Sequence, residues 1–177
     1  IIDCGIVPTP TVQFMVHNTE AIGGFIVTAS HNPIEWNGLK LLNFEGEFLS
    51  KQQGLDVFNL KIDQHILIEK QSLLKHLGNV ISIDYKKRHI ESVLSLDAVD
   101  VDAVKRSSFK VVVDGINSSG GVYVPFLLTK MGIEVVELNC IPNGYFAHNP
   151  EPTPNNLNQL CERVKDTKSH FGIAVDP

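Results

Sequence analysis

The sequence predicts an α/β fold of two consecutive units with mixed, mainly parallel sheets. Three observations carry that reading. Short β-branched apolar runs alternate with stretches of about 10–15 residues at helical spacing, the pattern of parallel crossover units. Thr-Pro occurs twice, at 9–10 and 153–154, each time leading into a helical stretch. Three strand exits are polar, at 28–33, 114–121 and 176, and ligands of parallel sheets sit at such carboxyl ends.

The elements follow in order. Thr9 is expected as N-cap with Pro10 at the first helical position, where its missing N–H costs nothing; Val12, Met15 and Val16 then share a face. "IGGFIVT" (22–28) reads as a buried strand and "GLKLLNF" (38–44) as the next. Ser50 and Gln53 form a capping box for a helix expected to bury Leu55, Phe58 and Ile62. Residues 63–80 give no clear pattern, and the expected boundary falls near Asn79, dividing the chain into units 1–80 and 81–177.

In the second unit Ile83, Ile90, Val93 and Leu94 share a helical face, and "VDVDAVKR" is a short helix or linker. "FKVVVD" (109–114) is a buried strand. A helix runs from Gly120 to Met131 and is closed by Gly132, and "IEVVEL" (133–138) follows as a strand. Leu157, Leu160, Cys161 and Val164 line the last helix, before the strand "FGIAV" (171–175).

Composition excludes several classes. A net charge of −5 lacks the clustered basic face that nucleic acid demands, and Lys86-Lys87-Arg88 reads as a solvated helix face. No apolar run approaches the ~20 residues of a membrane span. Three widely spaced cysteines, Cys4, Cys140 and Cys161, suggest neither a disulfide framework nor a zinc knuckle, and point to reduced thiols and a cytoplasmic location. The sequon at Asn117 lacks a secretory signal to give it meaning. Both ends read as interrupted, with no initiator Met and a strand stopping at its polar exit.

"VVVDGINSSGG" has the outline of a dinucleotide turn, yet matches neither G-x-G-x-x-G nor the P-loop pattern. Its glycines are expected to serve a tight turn and close helix packing, with no cofactor bound. "HNPEPTPNNL" (148–157) reads as a rigid loop before a helix. "VTASHNPIEWNGLK" (27–40) is less ordinary. Serine is a nucleophile or phosphoryl carrier only when its oxygen is activated or phosphorylated. Adjacency of Ser30 and His31 does not make them a pair, and Asn32 before Pro33 stiffens the turn.

"TASHNPIEWNGLK" resembles, almost residue for residue, the phosphoserine loop of the α-D-phosphohexomutases, T-x-S-H-N-P followed by N-G-x-K. "GIVPTP" (5–10) is similar to their G-x-x-P-T-P, "VVVDGINSSGG" to the opening of their second domain, and "HNPEPTPNNL" to the segment before their metal loop. The resemblance covers essentially the whole chain and implies two three-layer αβα units. These are most of domain 1 with the phosphoserine loop (1–80), and domain 2 up to the start of the metal loop (81–177).

By that resemblance Ser30 carries the transferable phosphoryl group, and Lys40 and His31 match residues handling protons or phosphate charge. The family binds Mg²⁺ through the phosphoserine and a D-x-D-x-D loop, of which Asp176 would be the first ligand. The implied partners are a hexose phosphate and a hexose 1,6-bisphosphate, interconverted between 1- and 6-phosphates. The arginine-bearing start, the sugar-reading loop and the phosphate-binding loop have no counterpart here, so the segment alone is expected to turn over little. Two alternatives stand beside this: a non-catalytic sugar-phosphate-binding module of the same fold, and, on the glycines at 115–121, a nucleotide-dependent dehydrogenase.

Overall fold

A computed structural model of the chain describes residues 1–33, 35–60 and 78–177. The second unit is built around β5 (Lys110–Asp114), the centre of a parallel sheet in the order β6–β5–β7, with β6 at Glu134–Leu138 and β7 at Phe171–Ala174. Val111, Val112 and Val113 have no solvent exposure, as a central parallel strand covered on both faces requires. β-branched residues suit this pleated, crowded position.

Helix α5 (Gly120–Lys130) crosses from β5 to β6. It ends in a Schellman motif: Gly132 at φ +78° lets its own amide reach the Thr129 carbonyl (3.0 Å) and the Ile133 amide reach that of Leu128 (3.0 Å). Leu128 and Ile133, brought together by that turn, both join the core with Val111 and Val113. Helix α6 (Asn158–Asp166) leads back to β7 after a 3₁₀ turn at Pro154–Asn156. Thr153 precedes that turn without a side-chain cap, and Cys161, expected on the packed face, is exposed; Leu160 is the buried residue.

In the first unit, β1 (Ile2–Asp3) pairs in parallel with β4 (Ile81–Ser82), and β2 (Gly24–Val27) pairs antiparallel with β3 (Leu39–Leu42). The sheets are thus mixed, as the sequence predicts. Helix α1 (Thr9–His17) buries Thr11, Val12, Met15 and Val16. Its cap is Pro8 rather than Thr9: the Thr11 amide bonds the Pro8 carbonyl at 2.9 Å, so Thr9 is already helical.

Two expectations about burial fail. Strand β2 is not buried on both faces: Gly24 packs on Val16, while Phe25 and Val27 face outward and stay exposed. Helix α2 (Lys51–Asn59) has the expected Ser50–Gln53 capping box in full, yet no buried residue; Phe58 is 86% exposed and Leu55 45%. Ile62 lies outside the described residues. The helix spacing is right, but among the described residues nothing covers the apolar stripe.

Residues after the expected boundary pack backward. Tyr85 belongs to the α1 core with partly buried Ile83, although Ile83 precedes its helix, α3 (Lys86–Leu94), rather than sharing its face. His89 stacks on Phe14 at 5.0 Å and contacts the Thr11 hydroxyl through Nδ1 at 2.9 Å. Burial lowers the His89 pKa from its ordinary 6.5. "VDVDAVKR" forms α4 (Val101–Arg106), capped by the Asp100 carboxylate on the Ala103 amide.

Candidate functional site

The loop between β2 and β3 is closed by hydrogen bonds inside it. The Thr28 amide reaches Gly38 O (3.0 Å), Asn32 bonds Ala29 O through both its amide (3.1 Å) and its side chain (2.8 Å), and the Trp36 amide meets Pro33 O (2.9 Å). Ser30 sits at φ +53°, left-handed backbone rare for serine, with its amide on Thr28 Oγ1 at 3.0 Å. Its hydroxyl donates to the Pro177 carbonyl at 3.4 Å, linking positions 147 residues apart.

His31 meets the same segment: Nδ1 stands 3.6 Å from Asp176 Oδ1, both side chains about half exposed. At that separation it is an ion pair only when the ring is protonated, and a weak one in water. Lys40 lies on β3 opposite Ile26, with Nζ 6.0 Å from the centre of the Phe48 ring.

Ser30, Lys40 and Asp176 all line one cavity of about 1890 Å³, which also takes in Asn117, Tyr123 and Tyr145; His31 is not part of its wall but faces Asp176. Three of the four positions singled out in the sequence thus share a cavity wall, and the fourth, His31, faces one of them. The cavity wall is mainly apolar.

The donor set tests a metal directly. Ser30 Oγ and Asp176 Oδ are oxygen donors of the type a hard cation takes, but one carboxylate and one hydroxyl fall well short of about six ligands. Among the described residues no group of three or more His, Cys, Asp or Glu is placed to hold an ion. These residues alone do not make a magnesium site.

The glycines of "VVVDGINSSGG" are occupied by packing. A Cβ on Gly115 would lie 2.3 Å from Gly121 Cα, one on Gly121 2.7 Å from Cys140 Cα, and one on Gly120 2.3 Å from Val175 Cγ1. Close approach of turn, helix and strand exits explains them, as the sequence reading holds. All three cysteines are free thiols, and burial pushes those of Cys4 and Cys140 up.

The strand exit holds a pair that sequence reasoning missed. Asp114, 2% exposed, receives His148 Nε2 at 2.8 Å. Burial pulls the His148 imidazole down, but hydrogen bonds to the Asp114 carboxylate and the Asn149 carbonyl, with the carboxylate's charge, outweigh it and raise its pKa above the ordinary 6.5. The available signal was an aspartate ending an otherwise apolar strand and a histidine opening the proline-rich loop, 34 residues apart.

The chain is similar to known proteins over nearly its whole length. Residues 87–177 match the profile of phosphoglucomutase/phosphomannomutase alpha/beta/alpha domain II, and residues 1–61 that of domain I. A phosphoglucomutase/phosphomannomutase of Thermococcus kodakarensis is 39% identical over 99% of the chain, and a phosphoglucosamine/phosphogalactosamine mutase of Sulfurisphaera tokodaii 31% over 99%. The chain spans 38% of the length of each. A phosphoglucomutase/phosphomannomutase family protein of Burkholderia thailandensis shares the fold at TM-score 0.67 and 23% identity, covering 99% of this chain and 37% of that one. Among the described residues no helix is long and apolar enough to cross a membrane.

Proposed function

The chain belongs to the phosphoglucomutase/phosphomannomutase family, and from that premise we propose that it carries the phosphoryl-transferring serine of a phosphohexomutase. The observation that supports this best is the meeting of Ser30, Lys40 and Asp176 at one cavity, with the serine lifted into left-handed backbone at a strand exit.

In this reading phosphorylated Ser30 gives its phosphoryl group to a free hydroxyl of a hexose monophosphate. The P–O bond to Ser30 Oγ breaks, the bond to the sugar oxygen forms, the sugar hydroxyl's proton passes to a base, and Ser30 Oγ takes up a proton as it leaves. The resulting hexose 1,6-bisphosphate turns over and returns its other phosphoryl group to Ser30, so 1- and 6-phosphates interconvert. Such chemistry rests on positioning and charge neutralisation. Lys40 and His31 serve as proton carriers or as positive charge beside the phosphate. Mg²⁺ is the metal we propose for the whole protein, with the Ser30 phosphate and Asp176 among its ligands; no step above is routed through it. The division into two units, the cytoplasmic location and the absence of nucleic-acid or membrane partners belong to the same proposal.

The test is transfer of label from ³²P-labelled glucose 1,6-bisphosphate, followed by peptide mapping of residues 22–40. Wild type is expected to take label on Ser30, and Ser30→Ala to take none. Equal labelling of the variant would refute the assignment. A protein that binds glucose 6-phosphate but takes no label would be the non-catalytic binding module. In the full-length protein, Ser30→Ala should abolish interconversion of hexose 1- and 6-phosphates.

A further inference from the structure

Asp114 lies where three exits meet. Its Oδ1 accepts the Ile116 amide (3.1 Å) and Asn139 Nδ2 (3.0 Å), its Oδ2 accepts His148 Nε2 (2.8 Å), and its main-chain carbonyl accepts the Val175 amide (3.1 Å). Asn139 Nδ2 also bonds Gln159 Oε1 at 3.0 Å, tying in α6. The residue after Val175 is Asp176, and next comes Pro177, which receives the Ser30 hydroxyl.

A carboxylate this deeply buried needs a compensating charge as well as hydrogen bonds. The Ile116 and Asn139 donors are neutral, which leaves His148. Both ring nitrogens of His148 face oxygen acceptors, Nε2 the Asp114 carboxylate and Nδ1 the Asn149 carbonyl at 2.9 Å. Only the doubly protonated ring satisfies both acceptors at once.

We infer that His148 is a positioning residue: as an imidazolium paired with Asp114 it locks the β5 exit, and through Asp114 and Val175 holds Asp176 against His31 and Pro177 against Ser30. Without that ring, Asp114 Oδ2 is left without a donor at a position only 2% exposed. A shifted carboxylate disturbs the acceptors that order the exits of β5 and β6, and with them the Asp114 main chain whose carbonyl holds Val175 at the β7 exit. The effect on phosphoryl transfer rests on the function proposed above; the geometric claim stands apart from it.

The experiment compares wild type, His148→Phe, His148→Gln and His148→Lys. The first readout is the long-range ¹H–¹⁵N spectrum of histidine-labelled protein at about pH 6, where His148 is expected to show two protonated nitrogens. Loss of the pair in His148→Phe is expected to shift the His31 resonances. The second readout is the initial rate of label transfer to Ser30, expected to fall about ten- to a hundredfold, as misplacement of a reacting centre does. His148→Lys, which restores the charge, should lie closer to wild type than His148→Gln in both. An unmoved His31 signal in His148→Phe, or lysine no better than glutamine, overturns the inference. Should the phenylalanine variant fail to fold, the lysine and glutamine variants decide it. If wild type takes no label, the functional proposal fails while the His31 resonances still judge the positioning claim.

Discussion

Gly120→Ala is the substitution whose outcome the geometry constrains most tightly. The new Cβ would lie 2.3 Å from Val175 Cγ1 and 3.0 Å from Val175 Cβ. Carbon atoms rest at about 3.5–4.0 Å, so rotating the valine relieves the methyl clash but not the contact with its Cβ; the strand exit must shift. Overpacking of this kind costs roughly 1–3 kcal/mol. Against it stands the higher helix propensity of alanine, up to about 1 kcal/mol and smaller at a first helical position. The expected net loss is about 0.5–2 kcal/mol in urea denaturation followed by circular dichroism. Adding Val175→Ala removes the colliding methyls, so the double variant should be more stable than the two single losses predict, by on the order of 1 kcal/mol. A single variant as stable as wild type, or strict additivity, would show that α5 does not press on the residue before Asp176.

Further outcomes test other links. Ser50→Ala removes one half of the α2 capping box and should lower stability by about 1 kcal/mol, read from the same denaturation; no change would mean that helix contributes nothing to the cooperative unit. Val113→Ala, in a position without solvent exposure, should cost about 2 kcal/mol, the loss of two methyls plus the cavity left behind. Because His148 has a raised folded-state pKa, its stabilisation is fully present below about pH 6.5 and lost as pH rises through the folded value. His89, lowered by burial, acts the other way and loses its contribution as pH falls below about 6.5. Thermal midpoints measured across pH should therefore decline on both sides, and His148→Gln should remove the alkaline arm alone.

Much of the fold was legible because local chemistry decided it. Three consecutive valines closed by Asp114 can hardly be anything but a central strand, and Ser50 with Gln53 caps a helix using atoms within one turn. What failed depended on partners. Periodicity finds the apolar stripe of α2 and the faces of β2 but cannot say what lies against them, so Phe58, Phe25 and Val27 were misjudged. At Thr9 the shift is one residue, since the Pro8 carbonyl takes the first helical bond. Of the site, the four expected positions came from a resemblance in one loop and one strand exit. Asp114 with His148 escaped because a pair 34 residues apart leaves no periodic trace.

The backbone of Ser30 invites one last consequence. Left-handed φ at a residue with a Cβ costs on the order of 1 kcal/mol or more, and Ile116, Asn117 and Asn139 share that conformation at the other exits. Glycine would relax the backbone at each, though at Ile116 only by emptying a buried position. At position 30 it would also delete the hydroxyl that we propose carries the phosphoryl group. A redesign guided by stability alone would therefore change Ser30 and Asn117 on the cavity wall, whereas Ile116, 2% exposed, would lose more by the cavity left behind than its backbone gained.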